Sequence, residues 1–330
     1  MRNFLKNKRT KGAATFAVAC LVGVCFFETG CAKKTPAFKV CINKIVDHEA
    51  LNETARGIQE TLQAEFQKLN IPLDVKIESA QGNAATAQQI TDKFVSQKAD
   101  FIVGIGTLAA QSFLRCAQNG KTRFVFSSVT DPKAAGLLSN TTSIIGVSNF
   151  IALEPQIDLF VEIQPGLKRL GFLYNPSEAN SITLLRRLEP ILAKRGIQLV
   201  PQVAAKMLDV PAAVSNLAKK VDVLFISNDN TALSALPSII SMANKSKTPV
   251  YVSDTDIVPK GAVAALGPNQ YQIGVQTAKL ILKQRLSATN LATRVEYPQE
   301  TLLVLNQKAA KTCALTFPDA LLKRAQKVLP

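Results

Sequence analysis

The sequence predicts an α/β protein made of two doubly wound, parallel-sheet lobes set in succession and joined by a hinge. Three observations carry this. Uniformly apolar, strand-length runs alternate with amphipathic helical runs, as in a parallel sheet covered on both faces. The alternation breaks at "GVSNFIALEPQIDLFVEIQPG" and then restarts. At 330 residues, the chain exceeds what one hydrophobic core serves.

In chain order, "FKVCINKIV" reads as a strand and "EALNETARGIQETLQAEFQKLN" as a helix with apolar residues at helical spacing. "DVKIESA", "DFIVGIG" and "RFVFSSV" are strands, separated by the helices "ATAQQITDKFVSQ" and "TLAAQSFLRCAQ". After a connector at Ser148–Leu153, the rhythm resumes with the strands "LKRLGFLYN", "IQLVPQV", "VDVLFIS", "PVYVSD" and "GAVAALG". Their helices are "SITLLRRLEPILAKRG", "VPAAVSNLAKK" and "NTALSALPSIISMANKS". "YQIGVQTAKLILKQRL" is a further amphipathic helix, and the tail supplies a strand and helical pieces. The expected division is residues 38–148 plus 269–288 for one lobe and 149–268 plus 289–330 for the other.

The N-terminus reads as an export signal. "MRNFLKNKRTK" carries five basic residues and no acid, and Ala13–Phe27 is apolar, short for a membrane span but suited to a signal core. "TGC" follows at Thr29–Cys31, and a small residue before Cys in this setting resembles the lipobox of bacterial lipoproteins. That resemblance implies cleavage after residue 30, lipidation of Cys31 and a short tether over 31–37, although Glu28 stands where the pattern has an apolar residue. The alternative is a signal cut nearby without lipid.

Losing residues 1–30 lowers the formal net charge from +15 to +11. The basic residues are scattered and no nucleic-acid motif accompanies them, so the excess reads as a basic surface facing an anionic envelope. Of six Cys, Cys41, Cys116 and Cys313 remain after Cys20, Cys25 and Cys31 are set aside. An odd number at wide spacing is no disulfide framework, and Cys41 reads as a small buried hydrophobe.

Polar residues gather where strands end, which is where open α/β sheets bind ligands. "LYNPSEANS" allows Asn175 to cap a helix, Pro176 to open it and Glu178 to complete a capping box, but leaves Asn180 and Ser181 unexplained. "GIGTLAAQ" matches a loose dinucleotide fingerprint after the wrong strand, so it reads as a tight turn capped by Thr107 or as a ligand contact. "SSVTDPKAAG" gathers Ser127, Ser128, Thr130 and Asp131. "SNDNTALSA" places Asp229 and Asn230 either as a helix cap or as ligand groups. Asp254 and Asp256 share a short loop but lack the ligand number of a metal site.

His48 is the only histidine. It has no partner pattern for zinc or a catalytic triad, and reads as a helix-start residue or a ligand contact. No catalytic residue, cofactor or metal is assigned. Hydroxyls with helix N-termini suit a carboxylate, and a buried Asp suits an ammonium; together they suit a zwitterion such as an amino acid. A sugar would ask for more aromatic stacking than no Trp and four Tyr provide.

The runs "IVDHEALNETARG", "GIGTLAAQ", "VTDPKAAGLL", "IIGVSN", "LGFLYNPSEANS", "SNDNTALSA", "PVYVSDTDIVPKGAVAALGPNQYQIG" and "LNQKAAKTCALTFPDALLKRA" span nearly all of the mature chain. Together they resemble the tryptophan-type family of ABC-transporter substrate-binding lipoproteins. The resemblance implies a type I periplasmic-binding fold, a non-enzymatic receptor closing on one small ligand, and a monomer tethered to the envelope beside a permease and its ATPase, with no nucleic-acid partner.

Carried to matching positions, the resemblance implies that Asn175, Ser177, Asn180 and Ser181 line the second lobe's face, with Asp229, Asn230 and Asp254 deeper. Thr107, Ser128, Thr130 and Asp131 face them, and His48 stands at the first helix mouth. Glu49 and Leu108 occupy positions where the family commonly has Pro.

Asp131 or Asp229 is expected to neutralise an ammonium, with Ser128, Thr130, Asn175 and Ser177 on the carboxylate and an apolar group against Leu108, Val129, Tyr251 or Tyr271. The hinge is expected at Ser148–Leu153, Gly267–Gln270 and Ser287–Arg294. The competing readings are a sugar or nucleoside receptor, a sensory or structural lipoprotein, and a hydrolase using Asp131 or His48.

Overall fold

The computed structural model describes residues 36–117, 122–139, 144–286 and 294–330. The signal segment, Cys31 and the expected hinge residues 287–293 lie outside them.

Two sheets organise these residues. The first has the order β11-β5-β4-β3-β1-β2 and is parallel throughout. Its strands are β1 (Phe38–Lys44), β2 (Leu73–Ser79), β3 (Phe101–Ile105), β4 (Arg123–Ser127), β5 (Ile145–Val147) and β11 (Val295–Glu296). The helices of this lobe are α1 (Glu49–Lys68), α2 (Ala84–Ser96), α3 (Thr107–Gln111) and α9 (Gln270–Leu286).

The second sheet runs β13-β12-β10-β9-β8-β6-β7, with only β10 and β12 antiparallel. It comprises β6 (Arg169–Tyr174), β7 (Gln198–Val203), β8 (Val223–Ile226), β9 (Val250–Val252), β10 (Ala264–Gly267), β12 (Leu302–Asn306) and β13 (Lys327–Leu329). Around it lie α4 (Glu154–Ile163), α5 (Ala179–Ala193), α6 (Val210–Ala218), α7 (Asn230–Ser234), α8 (Leu236–Lys245), α10 (Gln307–Thr312) and α11 (Asp319–Arg324).

The uniform apolar strands follow from two covered faces. Along β8, Val223 and Phe225 face the cluster with Phe160, Phe172 and Tyr251, while Leu224 and Ile226 face the other with Val214, Leu217 and Ile239. Period two sends alternate residues to opposite faces, and here both faces are core. Cys41 is fully buried in the first lobe's cluster, where burial pushes its thiol up to about 11.

Local chemistry redraws several expected elements. The helix expected from Thr107 to Gln118 ends its α-helical part at Gln111 and continues as a 3-10 turn, Ser112–Arg115. The helix expected in "NTALSALPSIISMANKS" splits into α7 and α8 at Ala235, ahead of Pro237, whose ring and missing N–H disfavour a continuous ladder. Just after the connector stands a helix the periodicity did not single out, α4, opened by Pro155 in its first turn.

The chain passes between the lobes after β5, after β10 and after β11. The strand β11 pairs with β5, with Val295 against Gly146, so the stretch from Val295 to Glu296 belongs to the first sheet rather than to the second lobe. Its backbone groups find an open ladder edge there, and among the described residues the third passage is the segment 297–301. The lobes are in packed contact: Ala50 of α1 belongs to the second lobe's apolar cluster. Among the described residues, no helix is long and apolar enough to cross a membrane.

Candidate functional site

Each sheet places its first strand between its second and third, the order 2-1-3-4-5. Successive connections therefore leave to opposite sides of β1 and β3 in one lobe, and of β6 and β8 in the other. Loops beyond the carboxyl ends of such strands part and form a crevice. The four mouths are His48 after β1, Thr107 after β3, Asn175–Ser181 after β6 and Asn228–Asn230 after β8, and the two lobes turn them toward each other.

A small chamber lies at this seam. His48, Thr107, Ser128, Thr130, Asn180, Asn230 and Asp254 line it, with Leu51, Asn149, Asn228, Leu233 and Gln270. It is narrow: about 10 Å³ is open to the centre of a water-sized sphere, close to what a single water requires. Beside it, and sharing Asn230, a wider vestibule of about 710 Å³ runs past Ile45, Leu108, Asn175, Ser177, Glu178 and Lys206.

Other expected site residues lie elsewhere. Asn175 and Ser177 are on the vestibule wall; Ser181 and Asp229 sit behind both walls; Asp131 is at the rim, bound to Arg187 of the other lobe at 2.7 Å.

The second lobe's wall is built on buried carboxylates. Glu178 is only 2% exposed. Its Oε2 accepts from the Asn230 backbone N–H (2.9 Å), Asn230 Nδ2 (2.7 Å) and Asn180 Nδ2 (3.1 Å). Its Oε1 accepts from the Thr231 backbone N–H (3.0 Å) and the Thr231 hydroxyl (2.9 Å). The capping-box expectation is thereby corrected. α5 begins at Ala179 with Glu178 as the preceding residue, and the Glu178 side chain turns to the start of α7, whose N–H groups have no helical partner. Asn175 instead accepts from Ser177 N–H, an Asx turn.

Asp229 caps α7, accepting from Ala232 N–H at 2.8 Å, and its other oxygen takes the Asn175 N–H and the Ser181 hydroxyl, both at 2.6 Å. Burial, then the neighbouring Glu178 charge, pushes its carboxyl up to about 7. With three donors already bound, Asp229 is a scaffold group, and Asp131 is held by Arg187. The expectation that one of them neutralises an ammonium is not met by their surroundings. Asp254 differs. It is 2% exposed and lies on the chamber wall, with one hydrogen bond, from Gln270 Nε2 at 2.6 Å; burial pushes it up to about 7.

The first lobe's wall is mostly uncharged. Gln270 Oε1 faces the hydroxyls of Ser128 (2.7 Å) and Thr54 (3.0 Å), so a chain of bonds runs from Asp254 across the seam to Ser128. Ser128 adopts the left-handed region, φ 54°, which a residue with a Cβ enters at a cost of about 1–2 kcal/mol. The glycines of "GIG" are there for packing. Gly106 has φ 89° and no space for a Cβ beside Ile45, and a Cβ on Gly104 would meet the Phe113 ring at 2.6 Å. Gly106, not Thr107, is the residue preceding α3.

His48 precedes α1 without capping it through its side chain. Its Nε2 lies 3.2 Å from Asn230 Oδ1 in the other lobe. Because Asn230 Nδ2 is committed to Glu178, the atom facing His48 is an acceptor, and Nε2 carries the hydrogen. Burial first, offset by the Asn230 bond, holds the imidazole down to about 4, so the ring is neutral and Nδ1 is a bare acceptor. Among the described residues, no group of three or more His, Cys, Asp and Glu is placed to hold a metal.

Two aromatic expectations are corrected. Tyr251 is fully buried, stacked on Phe160 at 4.3 Å, and Tyr271 donates its hydroxyl to Glu60 on the outer surface. Val129 is a core residue of the first lobe. Sequence reasoning missed Gln270, Asn149 and Asn228 as lining residues, and took Glu178 for a local cap. The usable signal was position: Asn228 sits in the same polar run as Asp229, and Gln270 opens the helix after β10.

Comparison with known proteins gives a consistent picture. Residues 39–329 match a family described as ABC transporter substrate binding protein. A tyrosine-binding protein of Clostridioides difficile is 26% identical over 321 residues, 92% of each chain. A conserved domain protein from Vibrio cholerae superposes with a TM-score of 0.83 at 36% identity, over 89% of this chain and all of that one. A Streptococcus ABC domain in complex with L-Trp also scores 0.83, at 27% identity and the same coverage. The ligand-free, open structure of a Clostridium difficile substrate binding protein with adhesive properties scores 0.66 at 28% identity, over 89% and 99%.

Proposed function

The chain belongs to the family of ABC transporter substrate-binding proteins, and from that premise we propose that it captures a small amino acid, an aromatic one such as tryptophan or tyrosine, between its lobes. It hands the ligand, outside the cytoplasm, to a permease powered by an ATPase. It is a binding protein and not an enzyme, as its family and structural relatives are. The observation that carries the reading is the seam. Both lobes contribute polar, buried side chains to one chamber, and the bonds that close it, His48 to Asn230 and Gln270 to Asp254, join groups from opposite lobes.

In the proposed cycle, ligand settles on one lobe while the seam is open, and closure adds the other lobe's contacts. Rotation would be taken up in the segments 148–153, 267–270 and 297–301. At nearly equal identity, the chain superposes better on the L-Trp complex than on the open, ligand-free relative, which supports reading this arrangement as the closed one. The amino-acid class is supported by what two relatives bind. Among the described residues, no Phe, Tyr or Trp lines either cavity, as a sugar would favour. Lipidation at Cys31 would hold the receptor at the membrane, and the protein would act as a monomer.

Thermal unfolding of the mature chain against the amino acids tests the reading, since a ligand bound only by the folded state must raise the melting temperature. Tryptophan or tyrosine is expected to raise it in a saturable way. A response to sugars or nucleosides alone would retain the receptor and reject the ligand class.

A further inference from the structure

The chamber is too small for an amino acid and about right for one of its groups. Its lining residues carry three buried polar atoms without a hydrogen-bond partner: His48 Nδ1, Asn180 Oδ1 and Asn228 Oδ1. All three are acceptors. His48 Nδ1 is bare because Nε2 holds the hydrogen. Asn180 Oδ1 is the carbonyl oxygen because its Nδ2 donates to Glu178 and, at 2.7 Å, to the Asn228 carbonyl. Asn228 Nδ2 faces Thr130 Oγ1, whose own hydrogen is directed to Asn149. Asp254 adds a carboxylate with spare lone pairs, and no Lys or Arg lines the chamber. A buried acceptor left unmet destabilises the fold, so this surplus is a demand for a donor.

We propose that the chamber is an ammonium subsite: a primary ammonium group, close to water in size and bearing only donors, enters it head-first between His48, Asn180, Asn228 and Asp254. The rest of the ligand lies in the vestibule, its apolar part along Ile45, Val46 and Leu108 and its carboxylate toward Lys206, the basic residue among the described ones on that wall. Recognition then rests on the amine, and the carboxylate is secondary. This rests on the amino-acid reading above and narrows it: decarboxylated amines are ligands too.

Calorimetric titration of the mature chain with L-tryptophan, tryptamine and indole-3-propionate, and with the corresponding tyrosine series, tests this. The amino acid and its amine are expected to bind within about tenfold of each other, and the deaminated acid at least a hundredfold more weakly. Asn228→Ala, which removes one long 3.5 Å contact, is expected to weaken both amines about tenfold without lowering the melting temperature. Binding of the amino acid without its amine, or of the deaminated acid as tightly as the amino acid, overturns the ammonium subsite and leaves the amino-acid receptor standing. Binding of the amine without the amino acid upholds the subsite and overturns the receptor's ligand. Silence of every compound overturns both.

Discussion

The two walls of the seam are built on the same strand order and carry opposite chemistry. The first lobe presents hydroxyls and amides, tied through Gln270 Oε1 to Ser128 and Thr54, and a histidine kept neutral by burial. The second is built on three buried carboxylates, Glu178 and Asp254 on cavity walls and Asp229 behind them. They differ in how far they are satisfied: five donors reach Glu178, three reach Asp229 and one reaches Asp254. A buried carboxylate with all its lone pairs engaged is structure; one with lone pairs to spare can bind. Topology locates a cleft, and the donor count on each wall assigns its parts.

The strongest way to break this contrast is Glu178→Ala. It strands donors on Asn180, Asn230 and Thr231 and releases the Asn230 orientation that holds His48. A loss of about 3 kcal/mol or more is expected in urea unfolding, with ligand binding abolished. Glu178→Gln, which keeps one acceptor oxygen, should lose less. If the Ala variant unfolds like the parent, Glu178 is not the organiser of that wall.

Asp254→Asn sharpens the difference between scaffold and binding carboxylates. The folded state holds the Asp254 proton up to about pH 7, while the unfolded chain releases it near 3.8. The folded form therefore binds more protons in that window, and the Asp254 contribution to stability is complete below about pH 4 and lost as pH rises to 7. The variant is expected to be more stable than the parent at pH 8, by on the order of 2–4 kcal/mol, and to bind the ligand more weakly. The gain should disappear at pH 4. Denaturation at the two pH values reads the first effect and titration the second; equal differences at both would remove Asp254 as the cause.

A smaller effect is expected on the first wall. Ser128→Ala keeps the left-handed backbone and loses the bond to Gln270, for a cost of about 1 kcal/mol. Ser128→Gly also loses the bond but relaxes the backbone, and should be closer to the parent. If the Gly variant is the less stable, strain at Ser128 is not part of that wall.

The smallest is Asp131→Asn at the rim. The Arg187 partner is 43% exposed, so the ion pair is worth less than about 1 kcal/mol. Its loss should be detectable at low salt and vanish at high salt.

Much of this molecule was legible in residues. The run "VDVLFIS" reads as a doubly covered strand, because Val223–Ile226 within it is uniformly apolar and set between helical patterns, and the repeated rhythm points to two lobes. Of the polar runs at strand ends, His48, Thr107, Ser128, Thr130, Asn180, Asn230 and Asp254 lie together at one chamber. The roles of the acids were not legible. In sequence, Glu178 is three residues from Asn175 and reads as a local cap; in space, it serves residues more than fifty positions away. Asp131 and Asp229 looked available because their partners, Arg187 in the other lobe and Asn175 and Ser181 in another loop, are remote in the chain.

Residues alone were enough for the alternation of strand and helix, the doubling of the fold and which loops are polar, because these rest on periodicities of two and 3.6 and on side chains acting on their own backbone, whereas α4, the break between α7 and α8 and the short β11 did not follow from periodicity. Tertiary structure alone decided which carboxylate is scaffold and which is free, which nitrogen of His48 bears its hydrogen, and where the chain makes its third passage between lobes. Those follow from partners that only folding brings within hydrogen-bond reach, and no local pattern encodes a bond between groups so far apart along the chain.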